Sequence, residues 1–269
     1  KDAGITENNA KRMITALLTL ELVERAGDGF CNAPDVERFL VEDTRSYAGR
    51  WITWFHHQWN AWGELGKRLE DTGPEYPLGF YDESFTVDHA RRYHQATASV
   101  GMGAARKFMS EVPLDGRNLL FDLGGGSGAY SIEEAKRNPG LKAVVLDLPE
   151  VVLVVTRDFI KEHGADAILM NSNLPQYSGE MICQVLRKAF DALAPGGEMH
   201  ICGEMVNEDW SGPLIPAMCS VHGVLFHSTA LPHTPTDCIR YFEETGFEDV
   251  KVREFIPDIL QHITGCKPA

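Results

Sequence analysis

The chain has 269 residues, of which 43% are hydrophobic and 24% charged, and it carries a net charge of −14 with a pI of about 5.1. This composition is ordinary for a globular domain with ample length for a core, and the acidic balance argues against nucleic acid and anionic membrane surfaces as partners. No run of 18 apolar residues occurs, so we expect no membrane-spanning helix and predict a cytoplasmic enzyme.

Residues 1 to about 95 are predicted to be mainly helical, with one hairpin. The first segment has an apolar helical face with Thr6 as a possible N-cap, and alternation around Asp28-Gly29 predicts the hairpin. A helix followed by a hairpin is typical of a winged helix. Because the recognition helix would carry few basic residues, DNA binding is disfavoured and we predict a packing or dimerisation module. The chain opens on Lys1 rather than Met, so we expect its natural N-terminus to be missing.

Aromatic residues recur at spacings of three and four in the next segment, a pattern typical of a helix face in a core or an interface. The stripe consists of Trp51, Trp54, Phe55, Trp59 and Trp62. His56 and His57 lie within it, but neighbouring residues on a helix point in different directions. We therefore predict no metal site there, and lining a pocket is the alternative role for these histidines.

From about residue 118 the pattern changes to alternating strands and helices. Strands are predicted at 118–123, 142–148, 165–172, 198–205 and after Gly246, with helices at 130–138, 151–164, 181–193 and 238–245. This order implies an α/β fold with a doubly wound, mostly parallel sheet and helices on both faces. We assign it to residues 96–269, separate from the region 1–95.

The strongest chemical motif is the stretch LLFDLGGGSGAYS, in which a buried strand runs through Asp122 into Gly124, Gly126 and Gly128 before a helix. Glycines let a ligand approach the main chain, and the helix N-terminus offers free N–H groups. Asp147, at the end of the next strand, can accept both ribose hydroxyls of a nucleoside. The motif also fits a dinucleotide, but Asp122 would repel a pyrophosphate and suits the amino group of S-adenosylmethionine (SAM).

These residues resemble a known family. The segments FDLGGGSG, VVLDLPEVV, LRKAFDALAPGGEMHICGEM and YFEETGF are similar to those of SAM-dependent small-molecule O-methyltransferases of plants and bacteria. The resemblance implies a winged-helix-like dimerisation half, a Rossmann-like catalytic half and a homodimer whose N-terminal helices wall the partner's pocket. It implies that Gly124, Gly126 and Asp147 contact SAM. The further predicted cofactor residues are Asp122, Gly128, Leu148, Asn171 and Ser172.

The chain departs from this family between the helix that ends near Gly164 and the strand that begins at Ala165. The family places another strand there, followed by a segment that cups the adenine. No residue is available for it in this chain. We expect that an internal segment is absent, because a doubly wound sheet does not easily lose an interior strand, and the adenine contacts are left unassigned.

A second departure concerns the general base. In the family the turn after this strand typically reads Leu-His-Asp-Trp, and its histidine deprotonates a phenol; this chain reads Leu174-Pro175-Gln176-Tyr177. Proline cannot accept a proton. Loss of the base favours a nucleophile that needs none, such as the thioether sulfur of 4-methylthio-2-hydroxybutyrate. An amine, a carbon or a phenol with a replacement base are the alternatives.

Several side chains are candidates for a catalytic or substrate-binding role. The catalytic candidates are Tyr177, Glu204, His222, His227 and His233. The predicted substrate-binding residues are Met102, Tyr177, Met218, His222 and Phe226. His94, Arg91 and Arg92 can bind a substrate carboxylate, although solvated charges are the simpler interpretation.

Two further hypotheses stay open at this point. A missing base also fits a SAM-binding regulator without activity, although a basic recognition helix would have favoured it. An oxidoreductase would bind NADH, against which Asp122 speaks. The six cysteines show no CxxC spacing and are mostly in apolar stretches, so we predict buried thiols rather than zinc sites or disulfides.

Overall fold

The computed structural model describes residues 4–70, 87–147, 164–226, 228 and 230–269. These ranges leave out the predicted helix at 151–164 except for its last residue. They also leave out two predicted site residues, Leu148 and His227. Within them, none of the helices is both long and apolar enough to cross a lipid bilayer.

The N-terminal region contains a helix, a hairpin and a second helix: α1 (Glu7–Thr19), β1 (Val23–Ala26), β2 (Gly29–Asn32) and α2 (Pro34–Phe39). Thr6 caps α1 as predicted, since its hydroxyl accepts a hydrogen bond from the Asn9 amide. The predicted turn of the hairpin is wrong by one residue. Ala26 pairs with Gly29, so Gly27-Asp28 form the turn, and Gly27 takes the positive φ of 58° that favours glycine there.

The aromatic stripe does not lie on one helix. It is divided between α3 (Gly49–His56) and α4 (Trp59–Gly63), which α5 (Leu65–Glu70) follows. Trp54 is buried, whereas Trp59 is 75% exposed in the single chain. The stripe is divided because the helix ends after His56; Trp54 lies in the core, and the interface role stays a prediction for the exposed Trp59.

One long helix, α6 (Val87–Glu111), connects the N-terminal region to the sheet. The predicted division between residues 95 and 96 falls inside this continuous helix. Farther along it, Ala105 and Phe108 are fully buried in the core beneath the sheet. Helix α6 therefore belongs to both predicted regions, and the division of the chain into two domains stays a prediction.

The sheet has six strands in the described part of the chain, in the order β4-β3-β5-β6-β8-β7. Their bounds are β3 (Leu119–Leu123), β4 (Lys142–Leu146), β5 (Ala165–Asn171), β6 (Leu193–Gly203), β7 (Glu248–Ile256) and β8 (Leu260–Cys266). The first four are parallel and the last two pair antiparallel. The helices after them are α7 (Ala129–Arg137), α8 (Gly179–Ala192), α9 (Leu214–Val224) and α10 (Pro235–Glu244).

The strand order limits where the expected additional strand could pair. β3 and β5 each have neighbours on both sides, whereas β4 has one strand neighbour among the described residues. An additional strand on this side can therefore pair only at the outer edge of β4. The reasoning that the family's strand would be an interior one is wrong, and its absence leaves the described sheet continuous.

Two apolar clusters cover the faces of the sheet. Leu119, Phe121 and Leu123 point to the face covered by α8 and α10, and Leu120 points to the face covered by α6 and α7. This alternation is the period of two of a strand. Asp122 therefore points toward α6 and α7, which places its carboxyl beneath the glycine loop.

Candidate active site

The glycine loop adopts a backbone that requires glycine. Gly124 and Gly126 have φ values of 63° and 54°. A Cβ on Gly124 would lie 2.4 Å from Nδ2 of Asn173, and one on Gly126 would lie 3.1 Å from Nδ1 of His94. The main chain of the loop is therefore in close contact with side chains from β5 and α6, and only glycine fits both positions.

Asp122 lies beneath this loop and is 1% exposed. Its Oδ2 accepts a hydrogen bond of 2.8 Å from the Ser131 hydroxyl, whereas its Oδ1 is buried without a protein partner. Burial raises the pKa of Asp122 to about 6, although the Ser131 hydrogen bonds act in the opposite direction. A cationic group above the loop would stabilise the ionised form, which fits the predicted amine of SAM.

Asp147 follows β4 and lies beside the loop. A Cβ on Gly126 would be 3.7 Å from its Oδ2, and the same oxygen is 3.9 Å from Nε2 of His94. Asp147 is thus at the carboxyl end of the strand next to β3, where an open α/β sheet binds its ligands. The structure brings Asp122, Asp147 and the loop together as the sequence predicts.

The end of β5 contributes three polar residues to the same edge. Both side-chain atoms of Asn171 that can form hydrogen bonds are buried without a partner. Ser172 has a positive φ of 50°, and its amide donates to the Cys202 carbonyl at 2.8 Å. Asn173 donates to the carbonyls of Leu123 and Gly124. Asn171 therefore has unused hydrogen-bonding capacity for a ligand, whereas Asn173 holds the loop in place.

The turn that carries Pro175 is a 3₁₀ turn, Leu174–Gln176, followed by the Ser178 cap of α8. Leu174 is fully buried and packs against Gly203, where a Cβ would lie 2.8 Å from the Leu174 Cβ. Pro175 itself is half-buried and lies in the first positions of the turn. The half-buried Tyr177 packs against the core cluster under α8 and is not placed as a catalytic group.

His233 is not available as a replacement base. Its Nε2 lies 2.8 Å from the Tyr177 carbonyl, to which it must donate, so its Nδ1 accepts from the Tyr241 hydroxyl at 3.2 Å. Burial is the main reason that its pKa is lowered. Both ring nitrogens are occupied and the residue is 3% exposed. The candidate role predicted from the sequence is wrong, because His233 fixes the backbone of the turn.

Glu204 is the first residue after β6, adjacent to the Gly203 that contacts Leu174. Its Oε2 is buried without a hydrogen-bond partner. Burial raises the pKa of Glu204 to about 7, against hydrogen bonds from its own amide and from the Ser172 side chain. A carboxyl with this pKa exchanges protons near neutral pH, which is the property required of a general base.

Helix α9 and the N-terminal helices meet in an aromatic cluster around His222. The His222 ring stacks on Trp62 at 6.0 Å and contacts Phe55 and Phe226 edge-on. Its Nε2 lies 2.6 Å from Oε1 of Gln58, to which it donates. Burial lowers the pKa of His222, so the neutral ring is favoured. His222 therefore remains a candidate pocket residue.

The other predicted substrate residues are placed less closely. Met218 lies on α9 and is 41% exposed. Met102 lies on α6, half-buried against the core cluster beneath the sheet. Cys219, also on α9, was not predicted as a site residue. Burial, and to a smaller extent the charge of the nearby Glu204 carboxyl, raises the pKa of its thiol to about 12.

Two residues of this edge, Asn173 and Gln58, were missed from the sequence, and His94 was considered only for a substrate carboxylate. Asn173 lies in the motif Asn-Ser-Asn after β5, so its position at the carboxyl end of a strand was the available signal. His94 and Gln58 reach the site through α6 and the segment between α3 and α4. No local pattern indicates that contact.

A doubly wound sheet with a strand, a glycine loop, a helix and an acid on the next strand is the arrangement of a nucleoside-cofactor site. A family model described as an O-methyltransferase domain matches residues 62–248, and the chain belongs to that family. The family resemblance drawn from the sequence is confirmed, SAM is the cofactor, and the acceptor is a small molecule. The buried Asp122 oxygen, the loop and the unpartnered Asn171 amide fit this cofactor.

Similar proteins cover nearly the whole chain. The tetracenomycin polyketide synthesis 8-O-methyl transferase TcmO of Streptomyces glaucescens is 24% identical over 99% of this chain and 85% of its own length. The N,N-dimethyltransferase OxyT of Streptomyces rimosus is 26% identical over 96% and 83%. Human N-acetylserotonin methyltransferase in complex with SAM has a TM-score of 0.79 at 22% identity, covering 98% of this chain and 84% of that one.

Proposed function

We propose that the enzyme methylates a hydroxyl group of a small aromatic acceptor and that Glu204 accepts the hydroxyl proton. The observation that supports it most directly is the buried Glu204 oxygen without a partner, one residue beyond the strand that packs on the Pro175 turn. The aromatic cluster of His222, Trp62 and Phe226 suits a flat acceptor ring. Two relatives bear names with aromatic acceptors, TcmO and a 3-hydroxy-5-methyl-1-naphthoate 3-O-methyltransferase of Streptomyces sahachiroi.

The proposed reaction moves a methyl group to the acceptor oxygen and the hydroxyl proton to Glu204. SAM supplies a methyl group on a sulfonium when bound. The acceptor O–H bond breaks as its proton passes to the ionised Glu204 carboxyl, and a bond forms between that oxygen and the methyl carbon as the carbon–sulfur bond breaks. The products are a methyl ether and S-adenosylhomocysteine, and the proton leaves Glu204 afterwards. Aligning the oxygen with the methyl group is the other contribution of the site.

The test is Glu204→Gln, which keeps the size of the side chain and removes the proton acceptor. We expect kcat to fall by about 10²–10⁴-fold, the usual contribution of a general base, while S-adenosylhomocysteine binds as in the wild type. Glu134→Gln is the matched control. Glu134 is also a buried carboxyl whose pKa burial raises to about 7, but it lies in α7 and bonds Asn138. An unchanged kcat in Glu204→Gln contradicts the proposal.

S-methylation is the second candidate, favoured by Pro175, which leaves no proton acceptor in the turn. A panel of naphthols, catechols, aromatic amines and 4-methylthio-2-hydroxybutyrate, read by mass spectrometry, separates the two. Turnover of the thioether alone, with Glu204→Gln fully active, supports S-methylation and excludes the hydroxyl acceptor.

We also propose that the enzyme is a homodimer joined through its N-terminal region. Helix α1 buries none of its residues in the single chain, and Met13 and Leu20 are 54% and 65% exposed. Together with the exposed Trp59, these side chains leave apolar surface that a protein interface would bury. Sedimentation equilibrium tests the assembly, and the mass of one 29.9 kDa chain contradicts it.

A further inference from the structure

His94 lies on α6, far along the chain from the glycine loop, yet its imidazole is in contact with that loop. A Cβ on Gly126 would lie 3.1 Å from its Nδ1 and 3.3 Å from its Cε1. The ring therefore rests directly on the main chain of Gly126. Neither the proposed proton transfer nor the core packing explains this position.

The hydrogen-bonding groups of His94 are incompletely used. Nδ1 is buried without a hydrogen-bond partner, and Nε2 lies 3.9 Å from Oδ2 of Asp147, beyond hydrogen-bonding distance. The side chains of His94 and Asp147 are each 26% exposed, so both are partly accessible beside Gly126. A buried polar nitrogen without a partner is costly unless a ligand satisfies it.

Helix α6 holds the ring in this orientation. The neighbouring Tyr93 packs against the buried Trp54 of α3, with ring centroids 5.3 Å apart. The His94 carbonyl accepts a hydrogen bond from the Thr97 hydroxyl one turn later. The rotation of α6 is thus fixed from the N-terminal side, and the imidazole has little freedom to turn away from the loop.

We propose that His94 is a second ribose-binding residue of the SAM site and acts together with Asp147. A ribose hydroxyl donates its hydrogen to a carboxylate and still accepts one on its oxygen. Asp147 supplies the acceptor and an imidazole N–H of His94 supplies the donor, and both groups lie on the same side of Gly126. This inference depends on the ribose role of Asp147, and it is independent of the acceptor and of Glu204.

The test measures binding without an acceptor, so failure of the Glu204 proposal does not affect it. Isothermal titration calorimetry compares S-adenosylhomocysteine with 5′-methylthioadenosine, which has the same ribose and lacks the amino acid. We expect His94→Phe, which keeps a planar ring without N–H groups, to raise both Kd values equally, by about 3- to 10-fold for one hydrogen bond. His94→Asn, whose amide can donate, is expected to recover part of the affinity.

The control is His56→Phe, since His56 is an exposed histidine on α3, remote from the loop. Near-ultraviolet circular dichroism verifies that each variant is folded. Unchanged Kd values in both His94 variants overturn the proposal. So does a loss confined to S-adenosylhomocysteine, because that result places the contact on the amino-acid part of the cofactor.

Discussion

A pair of buried histidines on the opposite face from α8 should make the stability of this enzyme sensitive to acid. His200 on β6 and His262 on β8 are 3% and 2% exposed, and Nδ1 of His200 lies 3.2 Å from Nε2 of His262. The outward nitrogens of both rings are buried without hydrogen-bond partners. Burial is the main cause that lowers the pKa of His200 to about 3 and that of His262 to about 4.

The sign follows from proton binding in the two states. Unfolded histidines titrate near pH 6.5, so below that pH the unfolded chain binds more protons than the folded one. The contribution of the two neutral rings to the unfolding free energy is therefore present above about pH 6.5. It is lost as the pH falls toward the folded-state pKa values of about 4 and about 3. Between pH 7 and pH 5, each histidine costs about 2 kcal/mol of unfolding free energy, or about 4 kcal/mol for both.

The measurement is urea unfolding followed by circular dichroism at pH 7, 6 and 5. The variant His200→Phe/His262→Phe keeps ring contacts with Phe108, which both histidines meet edge-on. Its unfolding free energy should fall by about 4 kcal/mol less than that of the wild type over this range. The single variant His262→Asn should show about half of that difference, and the exposed His57→Phe should show none. Equal pH slopes for the wild type and the double variant would refute the buried neutral pair.

Two further predictions concern the cofactor loop and the assembly. Gly126→Ala places a Cβ 3.1 Å from His94 at a φ of 54°, where an L-residue costs roughly 1–2 kcal/mol. The calorimetric Kd for S-adenosylhomocysteine should therefore rise by about tenfold or more. The control Gly140→Ala adds its Cβ in open space and should leave this Kd unchanged. Trp59→Glu puts a charge on the exposed apolar surface and should lower the sedimentation mass from twice 29.9 kDa toward one chain; a dimer of unaltered affinity would exclude Trp59 from the interface.

The parts of the fold that were predictable are those with a local signal. The strand from Leu119 to Leu123, its glycine loop and α7 follow each other within twenty residues, and their period and turn chemistry predict them directly. The Ser178 cap of α8 has the same local origin, because its hydroxyl accepts from the Met181 amide. The hairpin turn was misplaced because Gly27-Asp28 and Asp28-Gly29 are both pairs of turn-forming residues. The strand register, in which Ala26 pairs with Gly29, decides between them.

Contacts between distant segments were not predictable. His233 was a plausible base in the sequence, and only its two hydrogen bonds, one to a carbonyl 56 residues away, show that its ring nitrogens are occupied. The histidine pair joins positions 62 residues apart on neighbouring strands. His94 reaches Gly126 because α6 crosses the sheet face. In each case the tertiary packing determines the role, and a single sequence carries no periodic trace of it.

The turn with Pro175 is held by contacts from both of its ends. Its shape depends on the buried Leu174 against Gly203, on the half-buried Pro175 in its first positions and on the Tyr177 carbonyl held by His233. Glu204 follows Gly203 at that strand end, and its carboxyl accepts a hydrogen bond from the Ser172 side chain, two residues before Leu174. A proton acceptor there can serve the same acceptor atom from a neighbouring strand, which requires no change in the backbone. Because the backbone need not change, Glu204 is preferred over a histidine as the proton acceptor.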